Sequence, residues 1–191
     1  SVDNPCATFT DGAFVKAPYL PVLDGVTAAI KRDNNQLRAG PKRAAMEEIL
    51  RIACKQQYTS GKWMLRLLPE HADDVWVRVA GAVIKDMLGS SAKIAPTLHM
   101  ADKVTVCCVY TKDFSNRMEA CRVLVALQEL IEPIGLKVTC GFKPDVYTML
   151  GIGTGNVWRL DPTIYAVKDM LADVPLKVSG RIRSHVRTSC L

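Results

Sequence analysis

The strongest constraint on the fold lies between residues 73 and 88. Apolar pairs recur there at Val75/Trp76, Val79/Ala80, Val83/Ile84 and Met87/Leu88. A four-residue advance of this kind marks a helix with one apolar stripe. Such a stripe is stable only when a second layer covers it. Asp73 and Asp74 suit the start, where the helix dipole favours negative charge, and Gly89 suits the stop. The preceding run, Gly61 to Leu68, alternates instead: Trp63, Leu65 and Leu67 share one side, and Lys62, Met64 and Arg66 the other. Pro69 ends that strand, so the covering layer is expected to be a sheet.

The rest of the chain extends this pattern. Residues 1–21 carry Pro5, Pro18 and Pro21 without periodicity and read as an extended arm. Helices are expected over 22–33 and 41–56, the second with Pro41 near its start and an Arg43/Glu47 pair one turn apart. Ser91 to Thr97, which contains Lys93, reads as a strand. So does Lys103 to Thr111, rich in β-branched residues. Asp113 is placed to cap a long helix that runs to Glu132, where Pro133 and Gly135 stop it. Leu136 to Phe142 and Val146 to Ile152 read as further strands. Gly153 to Asn156 reads as a turn, with Val157 to Leu160 pairing back. Strands outnumber helices and the connections are short. The expected fold is α+β: a curved, mostly antiparallel sheet over residues 61–160, with the helices at 73–88 and 113–132 on its convex side. One domain is expected over 22–175, followed by a basic segment, 176–191, with Lys177, Arg181, Arg183 and Arg187.

Composition narrows the function. The net charge is +6, which permits contact with nucleic acid or another acidic partner, though a plain soluble domain with extra lysines is the simpler reading. The seven cysteines are odd in number and form no Cys-x-x-Cys. They read as reduced thiols of a cytoplasmic or nuclear protein. With only His71, His99 and His185 scattered among them, no metal site is expected. No stretch is long enough to span a membrane, and no membrane partner or cofactor is expected.

Motifs for catalysis are missing. Gly151, Gly153 and Gly155 alternate like a dinucleotide loop, but no helix signal starts on them and a tight turn explains them better. No serine or cysteine has a histidine signature near it. The expectation is therefore a protein that binds rather than an enzyme. One constellation stands out. Lys62, Lys93, Lys112, Lys143 and Arg159 lie in or beside expected strands, interleaved with Trp63, Tyr110, Tyr147 and Trp158. Lysines contact phosphates and aromatic rings stack on bases. The candidate ligand site is Lys62, Lys93, Tyr110, Lys143, Tyr147, Trp158 and Arg159, with RNA or a nucleotide as partner. The plainer reading is a solvated sheet face with ordinary core aromatics.

Several segments together resemble a known family. They are Gly61-Lys62-Trp63, Asp74-Val75-Trp76, Ala92-Lys93-Ile94, Val109 to Phe114, Lys143 to Thr148, Leu150-Gly151-Ile152 and Asn156-Val157-Trp158 to Tyr165. The set, over residues 58–167, resembles the family of basophilic leukemia-expressed protein, a domain of unknown function assigned a fold like that of translation initiation factor 4E. Asp102-Lys103-Val104 and the helix from Asp113 also resemble that factor's own strand and helix. The resemblance implies a cupped sheet backed by helices. It also implies that Trp76 corresponds to the dorsal-helix tryptophan that grips partner proteins, which makes a protein-interaction module the second expectation. Burial of Trp76 in the core is the competing one. The factor clamps methylated guanine between two tryptophans, one of them on the loop after its first strand. Here that loop, Leu68 to Ala72, has no aromatic residue. Trp63, Trp76 and Trp158 are followed by Met64, Val77 and Arg159, not by the carboxylate that reads the base. Cap binding is therefore not expected.

Overall fold

The structure, a computed structural model, describes residues 16–95, 104–139 and 141–172. A single 3-10 turn, Ala17–Tyr19, leads into helix α1, Leu20–Arg32, and then α2, Ala39–Lys55. The expected arm is thus helical from Ala17, where Pro18 and Pro21 occupy first-turn positions that need no N–H donor. Tyr19 anchors it, fully buried, with its hydroxyl donating to Gln56 Oε1 at 2.8 Å.

Strand β1, Gly61–Leu67, is the centre of the molecule. Helix α3, Pro69–Ile84, follows without a loop. Its first residue is Pro69, earlier than the acidic pair suggested, because a proline that ends a strand also presets the first helical turn. Then come β2, Ser91–Ile94; β3, Thr105–Thr111; and α4, Arg117–Ile131. Asn116, not Asp113, caps α4, its side chain accepting from the Glu119 N–H at 3.0 Å. Asp113 folds the turn before it, accepting from the N–H and hydroxyl of Ser115. The last elements are β4, Phe142–Pro144; α5, Asp145–Leu150; and α6, Val167–Ala172.

The four strands form one open antiparallel sheet in the order β2-β3-β1-β4. Trp63, Leu65, Cys107 and Val109 turn to one face, where they join Val75 and Val79 of α3 and Ala120, Val123, Leu124 and Leu127 of α4 in a single core. Trp63 is fully buried there. Its indole N–H donates to the Ala120 carbonyl at 2.8 Å, and its ring meets Phe142 edge-on, 5.4 Å between centroids. Helices α3 and α4 therefore back the same face of the sheet, as expected. Gly61 permits the Phe142 ring to pass close: a Cβ on residue 61 would stand 2.4 Å from it.

Three expected strands are corrected. Residues 145–150 form helix α5, not a strand; Val146, Tyr147 and Leu150 are buried at helical spacing and Gly151 closes the helix at φ 79°. Val157 to Leu160 is a turn held by Asn156, whose amide donates to the Gly153 and Leu160 carbonyls, both at 2.8 Å. Residues 136–139 are irregular. Gln128 of α4 substitutes for a sheet partner, accepting from the Val138 N–H at 2.9 Å and donating to the Leu136 carbonyl. The strand begins only at Phe142, which also exchanges backbone hydrogen bonds with Ile164 and Tyr165. The basic segment 176–191 lies outside the described residues, as do Pro96, Thr97, Lys103 and Cys140 of the expected strands.

Among the described residues, no helix is long and apolar enough to cross a membrane. Among the same described residues, no cluster of three His, Cys, Asp or Glu side chains is placed to hold a metal ion. Burial, and then neighbouring Cys108, push the Cys107 thiol up to about 12, so it stays protonated in the core.

Candidate functional site

The antiparallel register gathers what alternation alone leaves scattered. Lys62 of β1 pairs with Tyr110 of β3 on one side and Lys143 of β4 on the other. Tyr110 pairs in turn with Ser91 of β2. Directly paired residues project to the same face, so Lys143, Lys62, Tyr110 and Ser91 form one row across all four strands. The next row on that face is Met64, Cys108 and Lys93. Arg66 projects beyond it, exposed. This is the face opposite α3 and α4.

Two lysines converge on one ring. Lys62 Nζ stands 5.3 Å from the centroid of Tyr110 and Lys93 Nζ 5.8 Å, both within cation–π range. The Tyr110 side chain also raises the proton affinity of exposed Lys93, chiefly by hydrogen bonding, which keeps Lys93 cationic. Tyr110 thus gathers charge. A base can stack on it only by displacing an ammonium group.

Lys62 is itself buried and already partnered. Its Nζ donates to Asp145 Oδ1 and to Thr148 Oγ1, both on α5. The second carboxylate oxygen of Asp145 accepts from the Ser60 hydroxyl at 2.6 Å. Lys62 therefore builds the site without being free to leave it. Lys143 is different. It is half-buried with no ion pair or hydrogen bond among the described residues. Desolvation first, then the Lys62 charge, lower its proton affinity, and Asp145 only partly opposes them. The face thus sets Lys62, Lys93 and Lys143 against one carboxylate.

The other expected ligand residues lie elsewhere. Tyr147 is fully buried on α5, its hydroxyl without a partner among the described residues and its proton affinity raised by burial. It offers no stacking surface. Trp158 and Arg159 sit in the turn after α5, not in the sheet. Trp158 packs against the core, and Arg159 is exposed in a left-handed conformation, φ 55°. Asp161 ties that loop to α2 through an ion pair with Lys42, 2.6 Å. Lys112 is exposed just past β3. Sequence reasoning missed Asp145, Thr148 and Ser60. The signal for the first and last was a carboxylate two residues beyond Lys143 and a hydroxyl two before Lys62, the two lysines being paired across β1 and β4.

Trp76 of α3 is half-buried against the core, and the helix face beside it is open. Val77 is 71% exposed, Ile84 85% and Met87, just past the helix, 61%. Val77 and Ile84 are two turns apart and so share a face.

The chain matches one family model over residues 23–151. The matched span takes in all four strands and every lysine of the sheet face, with Tyr110 and Asp145, and leaves Trp158 and Arg159 outside. On that match, over more than half its length, the chain belongs to the family of basophilic leukemia-expressed protein Bles03.

Proposed function

We propose that the sheet face opposite α3 and α4 binds a phosphate-bearing ligand, a nucleotide or a single-stranded RNA segment. The observation that carries this reading is the convergence of Lys62 and Lys93 on Tyr110, with Lys143 directly across from Lys62. Like charges opposite one another weaken a sheet. An anion between them would reverse that sign. The reading is of a binding protein without turnover, working in the cytoplasm or nucleus. An open antiparallel sheet backed by two helices on one face is in keeping with a fold like that of initiation factor 4E. The ligand differs, because Trp63 is buried and β1 runs straight into α3, leaving no loop for a stacking tryptophan.

Thermal unfolding with a panel of nucleotides and short RNAs tests this. A ligand at a hundredfold excess over its Kd stabilises by about 2.7 kcal/mol. For a domain of this size that raises Tm by roughly 5–10 °C. The expected result is such a rise, lost in Lys93→Ala, with methylated cap analogue no better than the unmethylated nucleotide. No rise with any member of the panel would reject the reading.

The exposed apolar strip of Val77, Ile84 and Met87 beside Trp76 favours a second reading, a protein-interaction module that uses α3.

A further inference from the structure

We infer that Lys143 is a nucleophilic amine that captures carbonyl compounds as an imine, and that the ligand class suited to it carries an aldehyde or ketone together with a phosphate. The amine half stands on the surroundings of Lys143 alone, whereas the phosphate half rests on the binding reading above.

The argument begins with the rung that joins β1 and β4. Directly opposed residues hold their Cβ atoms roughly 5 Å apart, so two lysines there repel. One way to relieve the repulsion is for one of them to lose its proton. Lys62 is the wrong one, because Asp145 and Thr148 hold its ammonium group. Lys143 is the right one. It is half-buried, without an ion pair or hydrogen bond among the described residues, and the nearby carboxylate is engaged by Lys62 and Ser60. The charged and titratable groups around it are Lys62 on β1 and Asp145 on α5, with Tyr58 and Lys93 reaching Asp145 from further off. Burial and the Lys62 charge both lower the proton affinity of Lys143. A desolvated lysine beside a second cation is an arrangement that activates amines as nucleophiles.

The step balances without a redox partner. The ammonium group of Lys143 first releases a proton to solvent. Its nitrogen lone pair then adds to the carbonyl carbon, the π pair moves to oxygen, and one of the two nitrogen protons passes to that oxygen. The resulting carbinolamine loses that hydroxyl and the remaining nitrogen proton as water, and the C=N bond forms. The anionic end of the ligand has a place beside it, where Lys62 and Lys93 meet at Tyr110.

The test treats the full chain with pyridoxal or pyridoxal 5′-phosphate across the neutral to alkaline range, traps imines with borohydride and maps modified lysines by peptide mass spectrometry. Lys143 is expected to be modified first, ahead of exposed Lys31, Lys55 and Lys85, with its labelling profile already rising toward the neutral end of the range. Lys62→Met should move that profile to higher pH and cut labelling at neutral pH several-fold. If that variant does not fold, the unmodified protein decides alone: labelling of Lys143 no faster than the exposed lysines overturns the inference. Inorganic phosphate should slow labelling by the phosphorylated aldehyde more than by pyridoxal. Preferential labelling of Lys143 without that difference would remove the phosphate half and leave the amine. Nucleotide-dependent stabilisation without preferential labelling would do the reverse.

Discussion

Lys62 and Lys143 face each other across one rung of the sheet, and their surroundings give them opposite roles. Lys62 has Asp145, Thr148 and the ring of Tyr110, whereas Lys143 has a like charge for a neighbour. Lys143→Met should therefore stabilise the ligand-free protein at neutral pH, by a few tenths to about 1 kcal/mol, while weakening ligand binding. The pH dependence follows from linkage. The Lys143 proton affinity lies below the ordinary lysine value of 10.5, so between its folded pKa and 10.5 the unfolded chain holds more protons. Stability then rises with pH through that window, and the advantage of Lys143→Met shrinks there. Lys93 has the opposite sign, its stabilisation being lost as pH rises through its raised folded pKa, but it is common to both proteins and cancels in their difference. Urea midpoints of the two proteins across pH check this, and a lower midpoint for Lys143→Met at neutral pH would contradict it. At this scale the lysines and Tyr110 were legible because alternation assigns each to a side of its strand. Their convergence was not, because pairing register depends on contacts between distant segments. Tyr147 was misplaced for a related reason, since a residue read on a strand face belongs to a helix.

Among the elements, α3, β1, β3 and α4 were legible because each carries one clear period. Helix α5 was not. Val146, Tyr147 and Thr148 favour strands by type, and a six-residue helix is too short for its period to show. Pro144 before it, Asp145 at its first position and Gly151 after it were the available signals, matching a helix that opens after proline and closes on a left-handed glycine. The expected strand at 136–142 failed because a side chain, Gln128, satisfies its backbone. Helix α3 is where the second reading is tested. Replacing Val77 and Ile84 together by Asp leaves the core untouched, since both side chains are exposed. If α3 docks a partner, the double variant keeps its Tm within about 2 °C and loses proteins that copurify with the unmodified chain. Unchanged copurification would remove the interaction reading.

For the whole molecule, one sheet divides the labour: one face joins α3 and α4 in the core, and the other presents lysines. The net charge of +6 reinforces a local field that three lysines and one carboxylate already make positive. The α+β class with an antiparallel sheet was legible from short connections between clear strands and clear helices, although the expected excess of strands was wrong: six α-helices accompany four strands among the described residues. The central claim is that this face, rather than the basic C-terminal segment, holds phosphate. The most direct measurement is the affinity of a short single-stranded RNA as a function of salt, for the unmodified protein, Lys93→Ala with Lys143→Ala, and Arg181→Ala with Arg183→Ala. Each phosphate contact contributes about 0.7 to the slope of log affinity against log salt. The account predicts that the sheet pair lowers the slope by about 1.4 and weakens binding, while the C-terminal pair changes little. A slope unchanged by the sheet pair and reduced by the C-terminal pair would contradict it.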